Sequence, residues 1–394
     1  MENIVKEELS NFVTLYSGDC LENIKLLPDN SIDAFVLDPP YHLESIVKRF
    51  GGKNAKPTKG GTGDAFARIS SGFAGKTWDG GDIAFRKETW EEFFRVLKPG
   101  GHLVAFAATR NSHRMVTAIE DAGFEIRDSL YWIYGTGMPH SQDVSKFIDK
   151  ELGQKRDLDN DIPISEEAKA YNGYGTNLKP SVEPICLARK PLSEKTIAKN
   201  ILKWGTGALN IDDCRIPISE DDKIQFTGNS PALSKNSNEC WKRPWCSDKE
   251  YVKNKIKKAI DKSNKLGRWP ANIIIDGSDE VVNIFPVYNK KSSSRFFYSA
   301  KADKKDRANS NHPTIKPIKL IEWLITLVTP PNGIILDPFA GSGTTGQAAQ
   351  NLNIKCILME REEEYINDIK NRIKNISTEE TTPNNNINLE EFFN

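Results

Sequence analysis

The sequence lacks the features of membrane and secreted proteins. No uninterrupted apolar run approaches the roughly 20 residues that span a bilayer, and the best piece, residues 103–108, is far shorter. The first ten residues place Lys6 among three glutamates and contain no apolar segment, which is not the pattern of a secretory signal. We therefore expect a cytoplasmic protein without a membrane partner.

Cysteine is scarce and scattered. Of the six cysteines only Cys240 and Cys246 lie close together, so the sequence does not predict a disulfide framework. Their C-x5-C spacing is wider than that of usual zinc sites, and no second pair of Cys or His follows. We expect free thiols and no metal.

The chain also has no net charge, but its charge is unevenly distributed. Residues 360–394 contain nine acids and four bases, which leaves +5 on the rest of the chain. Residues 235–268 carry eleven bases and four acids, and four aromatic residues lie within or beside this block. Such a block suits a surface that meets a polyanion, and a solvated lysine-rich helix is the equally weighted alternative.

What the chain does contain is typical of a large globular domain with a smaller inserted one. It has 394 residues, of which 38% are hydrophobic and 27% charged, and its mean hydropathy is −0.53. Strands and helices alternate at both ends, which predicts an α/β fold with a doubly wound, mainly parallel sheet. The predicted strands are residues 12–15, 32–37, 102–107, 124–134, 334–336 and 355–359, and the predicted helices are residues 21–27, 88–97, 112–122, 318–328 and 344–352, with a helix-ending turn at residues 98–101.

The first segment that carries chemistry is Asp38-Pro39-Pro40-Tyr41, directly after the predicted buried strand of residues 32–37. Two consecutive prolines cannot extend a central strand, so these side chains are expected at its carboxyl end. Ligands of open α/β sheets bind at that edge.

The second segment, residues 337–345, reads as a strand end, a glycine turn and a helix start. It matches neither common phosphate-binding glycine motif and contains no lysine, which disfavours a nucleoside triphosphate. Asp337 would instead attract a cation, and Glu360, 23 residues later, could accept hydrogen bonds from ribose hydroxyls. The pattern favours a ligand with a ribose, an ammonium and a sulfonium over NAD.

Together these segments resemble the two signature motifs of the S-adenosylmethionine-dependent DNA amino-methyltransferases, which modify adenine N6 or cytosine N4. The catalytic motif precedes the cofactor motif, as in the permuted arrangement called the β-class. Residues 312–317 resemble the segment before the cofactor motif, and Gly18-Asp19 resembles the adenine-contacting turn. The resemblance covers residues 12–135 and 295–375.

This resemblance implies a permuted Rossmann-like methyltransferase fold with an inserted target-recognition region. The implied units are residues 1–190 with a mobile loop at 42–80, a recognition region at 191–300, a cofactor half at 301–375 and a disordered tail at 376–394. It implies S-adenosylmethionine as the cofactor, bound by Asp19, His312, Thr314, Lys316, Asp337, Phe339, Gly341, Ser342, Gly343, Thr344 and Glu360. For Asp19 and His312, a helix cap or a packed surface residue is the alternative.

The implied catalytic residues are Asp38, Pro39, Pro40 and Tyr41. The Asp38 carboxylate and the Pro39 carbonyl would accept hydrogen bonds from an exocyclic amine and stabilise its developing positive charge. Pro40 would stiffen the turn, and Tyr41 would stack on the base. A base in a duplex must first be extruded, and the loop 42–80 is expected to close over it.

The expected activity is site-specific methylation of adenine N6 in double-stranded DNA, since aspartate at the first tetrad position leans toward adenine in this family. The alternatives are cytosine N4, an RNA or a protein amide as substrate, and a non-catalytic DNA-binding protein on the same scaffold. Intact Asp38 and Tyr41 argue against the last alternative.

The sequence also bears on three further partners. No stretch resembles a nuclease, so a cognate restriction endonuclease would be a separate protein. Relatives often dimerise, which makes a homodimer an expectation. Leu389, Phe392 and Phe393 resemble a sliding-clamp-binding peptide, although a frayed end with a chance apolar cluster is the favoured interpretation.

Overall fold

The structure, a computed structural model, describes residues 5–41, 82–137, 141–156, 161–225, 249–288, 291–300, 306 and 315–378. The strands are β1 (Val5–Glu8), β2 (Val13–Ser17), β3 (Ile32–Leu37), β4 (Leu97–Phe106), β5 (Glu125–Ile133), β6 (Val182–Arg189), β7 (Ile273–Ile275), β8 (Val287–Tyr288), β9 (Lys291–Ser292), β10 (Tyr298–Ser299), β11 (Ile334–Asp337) and β12 (Lys355–Glu360). The helices are α1 (Cys20–Asn23), α2 (Lys87–Val96), α3 (Ser112–Asp121), α4 (Val144–Glu151), α5 (Glu166–Ala170), α6 (Ile197–Trp204), α7 (Lys249–Leu266), α8 (Asp279–Val282), α9 (Ile318–Val328), α10 (Thr344–Asn351) and α11 (Glu363–Thr378).

Ten of the described strands form one mixed sheet in the order β1-β2-β12-β11-β3-β4-β6-β5-β7-β10. The pairs from β2 to β4 are all parallel, and β6 lies antiparallel between β4 and β5. The first and last thirds of the chain therefore interleave, because β11 and β12 lie between β2 and β3.

Helices cover both faces of this sheet, and five of the six residues of β3 are accordingly apolar. Ala34 and Val36 pack into one core with α9 and α10, while Phe35 and Leu37 pack into a second core with α2 and α3. Alternate residues of a strand point to opposite faces, so a strand covered on both sides is largely apolar. The exception in β3 is Asp33, which is buried and paired with Lys98. The predicted fold class, a doubly wound and mainly parallel α/β sheet, is confirmed.

The helix α2 ends before residues 98–101, as predicted, but these residues belong to the strand β4 and do not form a turn. The strand β4 begins at Leu97, directly after α2, and Leu97 pairs with Ile32. The Gly100 amide donates to the Lys190 carbonyl at 2.9 Å, and the Lys190 amide donates to the Gly101 carbonyl at 2.9 Å. Pairing with neighbours on both sides therefore overrides the turn signal of a proline followed by two glycines.

The region 191–300 contributes two short strands to the main sheet. β7 pairs parallel with β5, and β10 pairs parallel with β7. The division of the chain into two halves and a recognition region stays a prediction. Helix α11 extends three residues into the predicted tail, and residues 379–394 and the loop 42–80 lie outside the described residues. No described helix is both long enough and apolar enough to cross a bilayer.

Candidate active site

Four acidic side chains follow the carboxyl ends of four adjacent parallel strands. Asp19 comes after β2, Glu360 ends β12, Asp337 ends β11, and Asp38 comes after β3. Leu336 is in register with Phe35 of β3, and Glu360 with Ser17 of β2. The two motifs, about 300 residues apart in sequence, therefore meet at one edge of the sheet.

Asp38 makes two short hydrogen bonds inside this edge. Its Oδ1 accepts from the Tyr41 hydroxyl at 2.7 Å, and its Oδ2 accepts from Lys316 Nζ at 2.6 Å. Between them, Pro39 is buried and Pro40 is half-buried. The Tyr41 carbonyl accepts a hydrogen bond from the Asn111 side-chain amide, which ties the end of the tetrad to the start of α3.

Glu183, near the start of β6, belongs to neither sequence motif and was not predicted. Its Oε2 lies 3.1 Å from the Tyr41 hydroxyl and 3.2 Å from Lys316 Nζ. Lys316, expected among the cofactor-binding residues, thus contacts the tetrad and bridges Asp38 and Glu183. Its side chain is 6% exposed and lies over the Tyr41 and Phe106 rings.

The buried charges around Tyr41 shift two pKa values. Burial, together with the neighbouring Asp38 and Glu183 carboxylates, raises the pKa of Tyr41 well above its usual range, so its hydroxyl stays protonated. Burial alone would lower the pKa of Lys316, but the same two carboxylates outweigh it and raise that pKa. The site thus holds a neutral phenol and an ammonium ion at neutral pH.

The glycine loop after β11 has the tight geometry that glycine permits. Gly341 has a φ of 51° and Gly343 a φ of 82°, both in the left-handed region. A Cβ atom at Gly343 would lie 2.9 Å from the Ile369 side chain, so the loop and α11 approach too closely for any other residue. Phe339 packs edge-on against Phe93, with ring centroids 6.0 Å apart.

Two acids flank this loop, the buried Asp337 and the half-buried Glu360. The Asp337 carboxylate accepts from the Phe339 amide at 3.0 Å, and Glu360 Oε2 accepts from the Gly341 amide at 2.8 Å. Burial raises the pKa of Asp337 to about 7 and that of Glu360 to about 7. Both groups therefore titrate near neutral pH.

An arginine outside both motifs fixes the glycine loop through hydrogen bonds. Arg372 of α11 donates through Nε to the Ser342 carbonyl at 2.8 Å and through Nη1 to Gln347 at 2.7 Å. Its side chain is buried, as are Ser342 and Thr344. A buried guanidinium with these acceptors fixes the loop relative to α10 and α11.

The remaining predicted site residues lie at the edge or outside the described part of the chain. Asp19 caps α1, and its Oδ1 accepts from the Leu21 amide at 2.8 Å, so the helix-cap alternative holds for its side chain. Asp19 also lies at the cofactor edge, because the Gly18 amide donates to the Glu360 carbonyl at 2.8 Å. His312 and Thr314 lie outside the described residues.

The loop suits a cofactor with a ribose and a positive charge. Three backbone amides donate to the Glu360 carboxylate, which leaves one of its roughly four acceptor positions for a hydroxyl. Asp337 adds a second acid, and no lysine or arginine lies in the loop to bind a phosphate. These two acids and a glycine loop without a basic residue fit the class of the S-adenosylmethionine-dependent methyltransferases better than a phosphate-binding α/β fold.

Comparison with known proteins specifies the class further. A family model described as DNA methylase, for enzymes of the N6/N4 type, matches residues 32–371. The chain belongs to this family of DNA amino-methyltransferases, and its cofactor is S-adenosylmethionine, as the motif resemblance implied.

Two curated relatives come from Haemophilus influenzae. The type II methyltransferase M.HindIII is 28% identical over 91% of this chain and 94% of its own length. The type II methyltransferase M.HinfI is 21% identical over 95% of this chain and 72% of its own length.

Two solved structures are also similar to the chain. The complex of M1.HpyAVI with SAM gives a TM-score of 0.39 at 18% identity and covers 92% of this chain and 100% of that one. The PvuII DNA methyltransferase, described as cytosine-N4-specific, gives a TM-score of 0.47 at 16% identity and covers 99% of this chain and 94% of that one.

Proposed function

We propose that this chain methylates the exocyclic N6 of adenine in duplex DNA, at a specific site and by direct transfer to an extruded base. The placement of Asp38 carries the proposal: its carboxylate lies beside the cofactor strand β11, at the edge where Asp337 and Glu360 flank the glycine loop. A base amine held by Asp38 would therefore lie next to a cofactor bound at the glycine loop.

Asp38 and Pro39 act on the amine. The lone pair of an exocyclic amine is delocalised into the ring, which makes the nitrogen a poor nucleophile. Hydrogen bonds from its two N–H groups to the Asp38 carboxylate and the Pro39 carbonyl favour a pyramidal nitrogen and stabilise its developing positive charge. The surplus proton leaves to water or through Asp38.

Tyr41 holds the base. Its hydroxyl is anchored by Asp38 at 2.7 Å, and its carbonyl by Asn111, so the ring has a fixed orientation. A fixed aromatic ring beside the acceptors offers a stacking face at little entropic cost.

The glycine loop and its acids hold the cofactor. Glu360 accepts from a ribose hydroxyl, Asp337 attracts the positive charge, and the small residues Gly341 and Gly343 allow close approach to the backbone. When bound, S-adenosylmethionine supplies an electrophilic methyl group on a sulfonium.

The second candidate is cytosine N4, because both amines need the same acceptors. Asp38 at the first tetrad position supports adenine. The separate restriction endonuclease, the homodimer and the sliding-clamp contact stay predictions.

One variant tests the assignment. Asp38→Ala should abolish transfer of tritiated methyl groups from the cofactor to duplex DNA, while calorimetry should show unchanged cofactor binding, because the described hydrogen bonds of Asp38 are with Tyr41 and Lys316 and none is with the glycine loop. Asp121→Asn, at the exposed end of α3, is the control and should keep full activity. Methylation that persists in Asp38→Ala refutes the mechanism.

A second experiment identifies the base. Single-molecule sequencing of DNA from a methylation-free host that expresses the wild-type chain reports the modified base and its sequence context together. Signal at adenine N6 supports the first candidate, and signal at cytosine N4 the second.

A further inference from the structure

Glu183 and Asp38 share one buried cation. Lys316 Nζ lies 2.6 Å from Asp38 Oδ2 and 3.2 Å from Glu183 Oε2. The three side chains are 6%, 25% and 19% exposed for Lys316, Asp38 and Glu183 respectively. Two carboxylates and one ammonium ion leave this cluster with a charge of −1.

Lys316 alone would oppose the chemistry proposed for Asp38. An ammonium ion this close to a carboxylate cancels most of the negative potential that a developing positive charge on the substrate amine requires. An isolated ion pair of Asp38 and Lys316 would be neutral, and its carboxylate would be a weak acceptor. A second carboxylate on the same ammonium ion restores the negative charge.

We propose that Glu183 is a positioning residue for methyl transfer: it shares the Lys316 charge with Asp38 and so keeps the Asp38 carboxylate available to the substrate amine. This inference rests on the proposed function of Asp38. Glu183 acts through Lys316 and Tyr41, not on the base itself.

Glu183 has a second proposed role, as a hydrogen-bond acceptor for the Tyr41 hydroxyl. Its single hydroxyl proton faces two acceptors, Asp38 Oδ1 at 2.7 Å and Glu183 Oε2 at 3.1 Å. When the amine approaches Asp38, the hydroxyl can turn to Glu183 and keep a hydrogen bond. Without that second acceptor, a substrate amine that binds Asp38 would displace the hydrogen bond between the Tyr41 hydroxyl and Asp38, and Glu183 could not replace it, which is costly in a buried site.

The first test removes the negative charge of Glu183 but keeps the shape of its side chain. Glu183→Gln should lower kcat about 10- to 100-fold, less than the roughly 100- to 1000-fold loss that follows removal of a direct contact to a transition state, because Glu183 acts through Lys316. KM for the cofactor and the DNA dissociation constant should change less than about twofold, because neither ligand binds through Glu183. Glu183→Asp should recover part of kcat, and equal kcat in the Gln variant and the wild type overturns the proposal.

The control removes a carboxylate elsewhere on the same sheet. Glu125 of β5 pairs with Arg189, at the other end of β6, with an Nη2 to Oε2 distance of 2.6 Å. Glu125→Gln therefore changes the same charge beside the same strand, away from the tetrad. Its kcat should equal that of the wild type.

A double variant separates charge from structure. Lys316→Gln in the Glu183→Gln background restores the cluster charge to −1, so the double variant should show a higher kcat than Glu183→Gln alone. If Glu183 were only structural, the second substitution would lower kcat further, and that result overturns the proposal. Melting temperatures and cofactor affinity verify that both proteins are folded.

Two failures are distinguishable. If Asp38→Ala keeps its activity, the proposed function fails and Glu183 loses its role with it. If Asp38→Ala is inactive while Glu183→Gln has the wild-type kcat, only the inference about Glu183 fails.

Discussion

At the scale of single residues, burial sets the pKa values of the two acids at the cofactor edge. It raises the pKa of Asp337 from 3.8 to about 7 and that of Glu360 from 4.5 to about 7. Near pH 7 each acid is thus partly protonated when no cation is nearby. A cationic ligand favours the ionised form of both, so ligand binding and proton release are coupled.

This coupling predicts that cofactor affinity rises with pH. Calorimetry should show tighter S-adenosylmethionine binding at pH 8 than at pH 6, with protons released to the buffer at pH 6 and fewer at pH 8. Asp337→Asn should bind more weakly and lose part of the pH dependence. Equal affinity at both values contradicts the prediction.

The same two acids affect stability in the opposite direction. Because their folded pKa values are raised, the folded chain without cofactor binds more protons than the unfolded chain between about pH 4 and pH 7. Their contribution to the free energy of unfolding is therefore greatest below pH 4 and falls as the pH rises to about 7. The cofactor edge is thus less stable when both acids are ionised.

At the scale of elements, the glycine loop joins β11 to α10 and rests on α11. Gly343, at the N-cap of α10, has a φ of 82°, and a Cβ atom there would lie 3.3 Å from the Ile369 Cα atom as well as 2.9 Å from its side chain. Ile369 is fully buried, so it has little room to move. The loop conformation and the position of α11 therefore depend on each other.

Gly343→Ala should lower the free energy of unfolding by about 2–4 kcal/mol, since it combines left-handed strain with overpacking. Cofactor binding should weaken as well, because the loop must shift. Chemical denaturation and calorimetry measure the two effects.

The matched control is Gly205→Ala at the end of α6. Gly205 has a φ of 81°, but a Cβ atom there meets nothing within 4 Å. This variant should show only the destabilisation from strain, about 1–2 kcal/mol. Equal destabilisation in the two variants would show that the contact with Ile369 contributes nothing.

At the scale of the whole molecule, zero net charge conceals one strongly basic helix. Tyr251, Lys255, Lys258, Lys262 and Lys265 recur every three or four residues of α7 and are exposed, so they share one face. Lys262 also pairs with Asp212 at 3.0 Å. A row of lysines about 15 Å long, at 1.5 Å per residue, suits the phosphates of a DNA strand.

Lys258→Gln with Lys265→Gln should therefore weaken DNA binding and reduce the salt dependence of the association constant. The slope against salt concentration should fall by about 0.9 for each phosphate that a lysine no longer neutralises. At saturating DNA, kcat should not change. Fluorescence anisotropy over a range of salt concentrations measures the slope.

The control is a pair of exposed lysines elsewhere on the surface. Lys355 begins β12, at the edge of the sheet opposite the site, and Lys25 pairs with Glu22 after α1. Replacement of both by Gln should leave the slope unchanged. An unchanged slope in the α7 variant as well would exclude α7 from the DNA interface.

Sequence and tertiary structure determine different features of this protein. The sequence alone determined the α/β class, the cofactor and the two motifs, because an apolar strand followed by prolines or glycines places its next side chains at the carboxyl edge. Only the tertiary structure brought Glu183 to Asp38 and placed Lys316 between them, beside the tetrad. These contacts join β3, β6 and the approach to α9, and the order in which strands pair is set by packing on both faces of the sheet, not by any local pattern. The strand β6 was itself missed, since Pro184 interrupts its pattern, and Glu183 was missed with it.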